Sequence, residues 1–305
     1  MKTFHFDKYQ GLGNDFVLFD RNLYPGIPEP PPDTIRRICD RRLGVGADGI
    51  LLFESASEKP SEGQPSDFRM IYFNADGSRA ETCFNGIRCI ALHAVLSGAV
   101  ERGAMFEIVT DAGPIPVVVD RGADLVLMKL PQAPDFKPKD IPIRSETRVI
   151  DELIEFKGFS LKGTALSVGN PHFVIWMDTD DLDRLNDEAA RLGPSVEKAD
   201  VFPEGVNLEL ASQTGYDKII MAVWERGAGR TLACGSGATA TVCAGVVTGR
   251  LKAGQPVEVE MAGGNLEITV PDLTDRKNPE PIMVKGAAER VFSGDIDEGI
   301  WRLSR

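Results

Sequence analysis

Cys83 and Cys234 are the residues of this chain whose surroundings suit acid–base chemistry. The first closes the stretch Phe73-Asn-Ala-Asp-Gly-Ser-Arg-Ala-Glu-Thr-Cys83-Phe-Asn-Gly86, the second Trp224-Glu-Arg-Gly-Ala-Gly-Arg-Thr-Leu-Ala-Cys234-Gly-Ser-Gly237. In each, a polar side chain (Asn74 or Glu225) lies nine residues before the cysteine, and a glycine lies three residues after it. The copies extend upstream. Leu12-Gly-Asn14-Asp-Phe16-Val17 is echoed by Val168-Gly-Asn170-Pro-His-Phe173-Val174, with 69 residues from Asn14 to Cys83 and 64 from Asn170 to Cys234. A duplicated half-site with one thiol per copy suggests a cleft with a thiol on each face. That arrangement can take a proton from one side of a carbon and return one from the other.

Each cysteine precedes an apolar helix. Only Arg88 and His93 interrupt the run from Ile87 to Val95, and no charge falls between Ala238 and Val247. A helix apolar on nearly all sides is enclosed by structure, so each half is expected to wrap a sheet around one central helix. A helix N-terminus offers unpaired N–H groups and the positive end of the dipole. It stabilises a thiolate, lowering a thiol pKa from about 8.5 by one or more units, and it can bind a carboxylate. Packing is the competing reading for any cysteine, and it suits Cys39, Cys89 and Cys243, each inside a predicted helix. A zinc site is disfavoured, since there is no Cys-x-x-Cys and histidine is scarce. A disulfide redox pair stays open. Of the three histidines, His172 lies in the repeated motif; His5 reads as a strand residue and His93 as a satisfied histidine of a central helix. The glycines of Gly11-Leu-Gly13-Asn-Asp and Gly44-Val-Gly46-Ala-Asp-Gly49 match neither the dinucleotide fingerprint nor the P-loop. They read as turns that close on a small ligand.

The elements that position these residues are mostly strands. Strands are expected at Phe4–Lys8, Phe16–Asp20, Ile50–Phe53, Arg69–Asn74, Phe106–Thr110, Ile115–Val119 and Leu125–Lys129. A polar turn is expected at Gly11–Asp15, and Pro25–Pro32, with five prolines, must be a loop. A helix is expected after Asp33 as N-cap, stopping near Gly44. The second half repeats the style, with strands near Gly158–Val168, Phe173–Met177, Asn207–Ala211 and Ile219–Trp224 and a helix over Leu182–Leu192. Surface loops are expected over Glu54–Asp67 and Pro131–Pro142, and Pro271–Pro281 is read as separating the two strands of a late hairpin. Many strands, few helices and no steady alternation predict an α+β protein with mostly antiparallel sheets.

Composition agrees with a soluble protein. The chain has 305 residues, 42% hydrophobic and 26% charged, with a formal charge of −12 and no basic run, which argues against a nucleic-acid surface. No uncharged run approaches membrane-spanning length, and the N-terminus lacks the apolar core of a signal peptide. Five cysteines are odd in number and too few for a disulfide scaffold, so a cytoplasmic location with reduced thiols is expected.

Taken in order, Tyr9-Gln-Gly-Leu-Gly-Asn-Asp-Phe, Gly44-Val-Gly-Ala-Asp-Gly, Phe73-Asn-Ala-Asp-Gly-Ser, Gly169-Asn-Pro-His, Val206-Asn207, Glu225-Arg-Gly-Ala-Gly and Ala233-Cys-Gly-Ser-Gly-Ala span nearly the whole chain. They resemble the diaminopimelate epimerase family. The resemblance implies two pseudo-symmetric domains, residues 1–126 with 287–305 and residues 127–286, and a homodimer. It implies a cofactor-free enzyme that interconverts LL- and meso-diaminopimelate, a small-molecule amino-acid substrate, with neither metal nor pyridoxal phosphate. By matching motif, Cys83 and Cys234 become the acid–base pair. The amides of Phe84, Asn85, Gly235 and Ser236 would hold the carboxylate at the reacting centre. Asn74, Asn207 and Arg226 would take the distal carboxylate and Glu225 the distal ammonium. Asn14 and Asn170 would help fix the substrate, and His172 would support the site beside the sulfurs.

One position departs from the family pattern, which after the first cysteine is Cys-Gly-Asn-Gly; here Phe84 replaces the glycine. The backbone N–H survives the change, so the ring is expected to pack outward with activity retained. The rival readings are a proline racemase, a racemase of another polar amino acid, and a non-catalytic amino-acid binding protein. Proline racemases usually carry His where this chain has Asn85 and lack a partner like Glu225-Arg226.

Overall fold

The computed structural model describes residues 3–56, 68–131, 133–274 and 280–302. Most of the loop expected after Glu54 and the middle of the Pro271–Pro281 loop lie outside the described residues. The chain divides into two compact units, Met1–Met128 with Gly286–Arg305, and Lys129–Lys285.

In the first unit β1 (Thr3–Gly11) and β2 (Asn14–Asp20) form an antiparallel hairpin. The turn is tighter than the polar segment expected at Gly11–Asp15. Only Leu12 and Gly13 lie outside the strands, both with positive φ (56° and 81°), the backbone a two-residue hairpin of the twisted kind demands. Asn14 and Asp15 therefore belong to β2. Helix α1 (Pro32–Cys39) leads to β3 (Gly49–Ser55), parallel to β2. β4 (Phe68–Asn74) runs antiparallel to β3, and the two-residue β5 (Arg79–Ala80) folds back on β4. Helix α2 (Phe84–Leu96) follows, then β6 (Met105–Thr110) parallel to β4, β7 (Gly113–Val119) and β8 (Leu125–Leu130).

The second unit opens with β9 (Glu152–Phe156), a strand the sequence reading missed, paired with β10 (Phe159–Ser167). β11 (Pro171–Trp176), α3 (Leu182–Glu197), β12 (Asn207–Gln213), β13 (Lys218–Glu225) and β14 (Gly229–Arg230) lead to α4 (Gly235–Val247). β15 (Pro256–Met261), β16 (Gly264–Thr269) and β17 (Ile282–Ala287) close the unit. The chain then returns to the first unit as β18 (Glu289–Asp297), antiparallel to β1.

The repeat read in the motifs extends to the topology. β1-β2-α1-β3-β4-β5-α2-β6-β7 and β10-β11-α3-β12-β13-β14-α4-β15-β16 have the same order. The pairing senses match as well: antiparallel, parallel, antiparallel, antiparallel, then parallel and antiparallel around the central helix. The protein is a two-domain α+β fold, mostly antiparallel, with parallel steps where a helix intervenes.

The strands β2, β3, β11, β12 and β13 are buried on both faces, so they show near-continuous burial and no alternation of buried with exposed residues. In β2, Val17 and Phe19 join Phe4, Phe6, Ile50, Leu52 and the α1 residues Ile35 and Ile38. Alternation turns Phe16 and Leu18, both fully buried, to the other face, and Leu51 and Met70 meet Gly86 of α2 there. In the second unit Leu185, Ala189, Leu192 and Val196 of α3 pack against Phe173, Ile175, Leu208, Leu210, Ile220 and Ala222. Within α2 and α4 the runs Gly86–Ala94 and Gly237–Gly245 are buried throughout, as two enclosed helices require. Cys89 and Cys243 are packed inside these runs, and Cys39 is buried as the last residue of α1.

Two helix ends differ from expectation. α1 begins with Pro32 at its first position and Pro31 as the cap, so Asp33 is not the N-cap. Proline suits that place because no N–H is missed, and Asp33 lies in the first turn, where its charge favours the dipole. The helix stops at Cys39 because Asp40 Oδ1 takes the N–H groups of Arg42 and Leu43, both at 2.7 Å. α3 runs past Leu192 through Pro194 to Glu197, which buries Val196 and sets Gly193 under Trp224, where a β-carbon would lie 2.1 Å from the indole. Among the described residues no helix is long and apolar enough to cross a membrane.

Candidate active site

Each of the two cysteines caps a central helix. Cys83 is the N-cap of α2, with extended backbone, and its sulfur accepts the Gly86 N–H at 3.4 Å. Cys234 is the N-cap of α4 and accepts the Gly237 N–H at the same distance. The glycine three residues after each cysteine is thus the donor to its sulfur.

In the first unit the Cys83 thiol points to Asn14 Oδ1 at 3.8 Å, and Asn85 Nδ2 donates to the same oxygen at 3.2 Å. Asn14 Nδ2 donates to Asp48 Oδ2 at 2.9 Å. Asp15 and Asp48 are both held by Arg41, and Asp15 also by Lys8. Burial raises the Asp15 carboxyl pKa, but hydrogen bonds from Arg41 and Lys8 outweigh it and hold the group well below the usual range. The Gly44–Gly49 segment thus contributes Asp48 as well as turns, with Gly46 at φ 80°. Asn74 ends β4 opposite Gly49, and its side chain donates to Ser78 Oγ at 3.0 Å. Phe84 is the first residue of α2, half-buried, and does not have positive φ. A phenylalanine therefore meets no backbone demand that only glycine satisfies.

In the second unit Asn170 and His172 lie side by side, Nε2 of His172 being 2.9 Å from Asn170 Oδ1, and Asn170 Nδ2 reaches Ser236 Oγ at 3.4 Å. The Ser236 hydroxyl is 3.4 Å from the Cys234 sulfur. His172 has no exposed surface, and its Nδ1 lies 2.7 Å from Oε1 of Glu209, which has none either. Asn207 donates to the Pro171 carbonyl at 2.8 Å and accepts the Arg226 N–H at 2.8 Å. The exposed Arg226 side chain donates to the Glu204 carbonyl at 3.1 Å, with no ion pair among the described residues. Glu225 accepts from Thr231.

Electrostatics sets the Cys234 thiol apart from the expectation of a lowered pKa. Burial pushes the Cys234 thiol well above its ordinary value, and the negative charges of Glu225 and Glu209 push it further. The Ser236 and Gly237 hydrogen bonds work the other way without prevailing, so at Cys234 the helix N-terminus does not yield a lowered pKa. Burial also raises the Glu225 carboxyl, against hydrogen bonds from Thr231 and Cys234. Among the described residues no group of three or more His, Cys, Asp or Glu side chains is placed to hold a metal ion.

The family model for diaminopimelate epimerase matches residues 6–131 and 164–291, the first stretch mainly in the first unit and the second mainly in the second. The chain belongs to the diaminopimelate epimerase family. It is 41% identical to the diaminopimelate epimerase of Methanothermobacter thermautotrophicus over 293 residues, covering 95% of this chain and 97% of that protein. It is 37% identical to that of Moorella thermoacetica, covering 96% and 99%. Solved structures of similar fold include a phenazine biosynthesis protein of the PhzF family from Bacillus anthracis (TM-score 0.67, 18% identity, 97% of this chain and 100% of that one). A probable proline racemase from Agrobacterium radiobacter is equally similar in shape (TM-score 0.67, 14% identity, 97% and 93%). At such identities these structures speak for the fold alone.

Three residues were not singled out by the sequence reading as site residues: the buried Arg88 and Glu209 and the partly exposed Asp48. Arg88 is a charge inside an apolar helix, and Glu209 is a charge two residues after Asn207, hence on the same face of β12. Those were the available signals.

Proposed function

We propose that this protein is a cofactor-independent epimerase that interconverts LL- and meso-diaminopimelate in the supply of lysine and peptidoglycan precursors. The carrying observation is that Cys83 and Cys234 cap equivalent buried helices, one in each half of a duplicated fold. One sulfur, as thiolate, takes the α-proton and becomes a thiol. The electron pair of the broken C–H bond stays on carbon until the other thiol delivers its proton to the opposite face and becomes the thiolate. The reverse reaction exchanges the roles. Because an α-proton is weakly acidic, stabilising the carbanion-like transition state is the main burden, and oriented amide dipoles suit it.

In this reading the halves are residues 1–126 with 287–305 and residues 127–286. The N–H groups of Phe84, Asn85, Gly235 and Ser236 hold the α-carboxylate. Asn74, Asn207 and Arg226 receive the distal carboxylate, and the exposed guanidinium of Arg226, answered among the described residues only by a carbonyl, suits an anion. Glu225 takes the distal ammonium, Asn14 and Asn170 fix the substrate, and His172 supports Asn170. The working protein is a cytoplasmic homodimer.

The test is proton NMR of the reduced protein with LL-diaminopimelate in deuterated water. Loss of the α-proton signal with appearance of the meso isomer is expected. Exchange with a different amino acid only would move the substrate, and no exchange across a substrate panel would sink the proposal.

A further inference from the structure

His172 and Glu209 stand where the other half of the repeat is apolar. Strand pairing aligns the halves: Phe16 is opposite Gly49 on β3, and His172 is opposite Asn207 on β12. Ile50 is opposite Phe73 and Leu208 opposite Trp224, each one residue before the Asn74 or Glu225 that precedes a cysteine by nine. His172 therefore takes the place of Phe16, and Glu209 the place of Leu51. All four side chains are fully buried. The match extends to the central helices. A β-carbon on Gly86 would lie 3.0 Å from Leu51 Cδ2, and one on Gly237 would lie 2.7 Å from Glu209 Oε1. These are the two glycines whose N–H groups reach the cysteine sulfurs.

An acid and a base where an apolar pair fits call for a reason, because replacing a buried ion pair by apolar residues of similar volume is often neutral or stabilising. Glu209 adds to the cost, since its Oε2 is buried without a hydrogen-bond partner among the described residues.

The hydrogen bonds supply the reason. The His172 ring faces an oxygen on each side, Glu209 Oε1 at 2.7 Å from Nδ1 and Asn170 Oδ1 at 2.9 Å from Nε2. The amide of Asn170 is turned this way because its Nδ2 reaches Ser236 Oγ at 3.4 Å. With an acceptor at each nitrogen both nitrogens donate, so the ring is an imidazolium whose charge answers the Glu209 carboxylate. Glu225, the other carboxyl near Cys234, accepts from Thr231 instead. Glu209 thus holds the ring, the ring holds Asn170, and Asn170 meets Ser236 beside the Cys234 sulfur. The first unit fixes Asn14 by other means, Asp48 taking its amide nitrogen and Asn85 donating to its oxygen.

We propose that Glu209 is a positioning residue for the reaction, which keeps His172 charged so that the imidazolium fixes Asn170 and Ser236 for the substrate. This rests on the two-thiol reading above, which puts Asn170 and Ser236 on the substrate.

The experiment is side-chain nitrogen NMR of the reduced full-length protein, isotope-labelled at histidine, without substrate at about pH 7. Of the three histidines, His172 is the one whose signals vanish in the double variant His172→Phe with Glu209→Leu, which installs the pair of the first half. In the parent both ring nitrogens of His172 carry protons, and in Glu209→Leu alone one of them is bare. The double variant melts close to the parent yet loses kcat/KM by at least about tenfold, since displaced substrate contacts slow the chemistry. A bare ring nitrogen on His172 in the parent would overturn the proposal. So would a double variant whose turnover stays within a few-fold of the parent's, or one that fails to fold, which would make the pair structural. The nitrogen signals need no substrate. If isotope exchange removes the proposed reaction, they still decide whether Glu209 holds His172 charged.

Discussion

Glu209 Oε1 lies 2.7 Å from His172 Nδ1, and neither side chain has exposed surface. The other oxygen of Glu209 is buried without a hydrogen-bond partner among the described residues. The pair therefore stands on one contact, and its negative end bears on Cys234. Glu209→Gln keeps the shape and removes the charge. Urea melts should show a loss of about 1–3 kcal/mol. The Cys234 thiol should titrate lower than in the parent, since a group that disfavours its anion is gone; alkylation of Cys234 against pH reads this directly.

Gly237→Ala tests the same pair from the helix side. A β-carbon at position 237 would sit 2.7 Å from Glu209 Oε1 and 3.4 Å from the Cys234 β-carbon. The variant should fold with a loss of about 1–3 kcal/mol from overpacking, measured by thermal melting. Turnover should fall more than in Gly86→Ala, where the closest neighbour is a Leu51 methyl at 3.0 Å.

Removing either thiol should stop the reaction without unfolding the protein. Cys83→Ala and Cys234→Ala should each lower isomerisation by at least about 10²- to 10⁴-fold, the range for a lost proton-transfer group. Their melting temperatures should stay near the parent's. Turnover within a few-fold of the parent in either variant would remove that cysteine from the mechanism.

Phe84→Gly addresses the departure from the family pattern. With Phe84 at the start of α2 and its φ negative, glycine gains no conformational advantage and costs about 0.5–1 kcal/mol in backbone entropy. Denaturant midpoints should fall slightly while turnover and substrate preference stay near the parent's. A large rise in turnover would show that the ring obstructs the site.

Alkaline pH should destabilise the fold. Burial raises Cys39 to about 12 and raises Cys89, Cys243 and Cys234 as well. An unfolded thiol ionises near pH 8.5, whereas these stay protonated in the folded chain. Stability is thus full below about pH 8.5 and is lost as pH rises from there through the folded values. Chemical denaturation at successive pH values checks the slope, which Cys89→Ala and Cys243→Ala should each make shallower.

The parts legible in the sequence were those written locally. The spacing of Asn74 and Glu225 to the cysteines, and the charge-free run after Cys234, were enough to place two enclosed helices. β9 was missed because Glu-Leu-Ile-Glu-Phe exposes most of its residues and lacks a clean alternation, being half of a hairpin made with β10. Asp33 reads as a cap from its type, but Pro32 already supplied a helical φ one residue earlier. Arg88 and Glu209 were visible as charges in apolar surroundings, yet the Ala287 carbonyl that Arg88 meets and the His172 that Glu209 meets lie on other elements. Only tertiary pairing could name them.

The return of β18 to β1 orders events during synthesis. Residues 129–285 are contiguous, so the Cys234 unit has its whole sequence as soon as β17 leaves the ribosome. The Cys83 unit needs Glu289–Asp297 to cover β1, across register partners such as Thr3 and Asp297, and Arg88 needs the Ala287 carbonyl. The half made first is thus completed last. Until then its β1 edge is open to pairing with another nascent chain, which makes this seam the place where slow or crowded synthesis should produce aggregates.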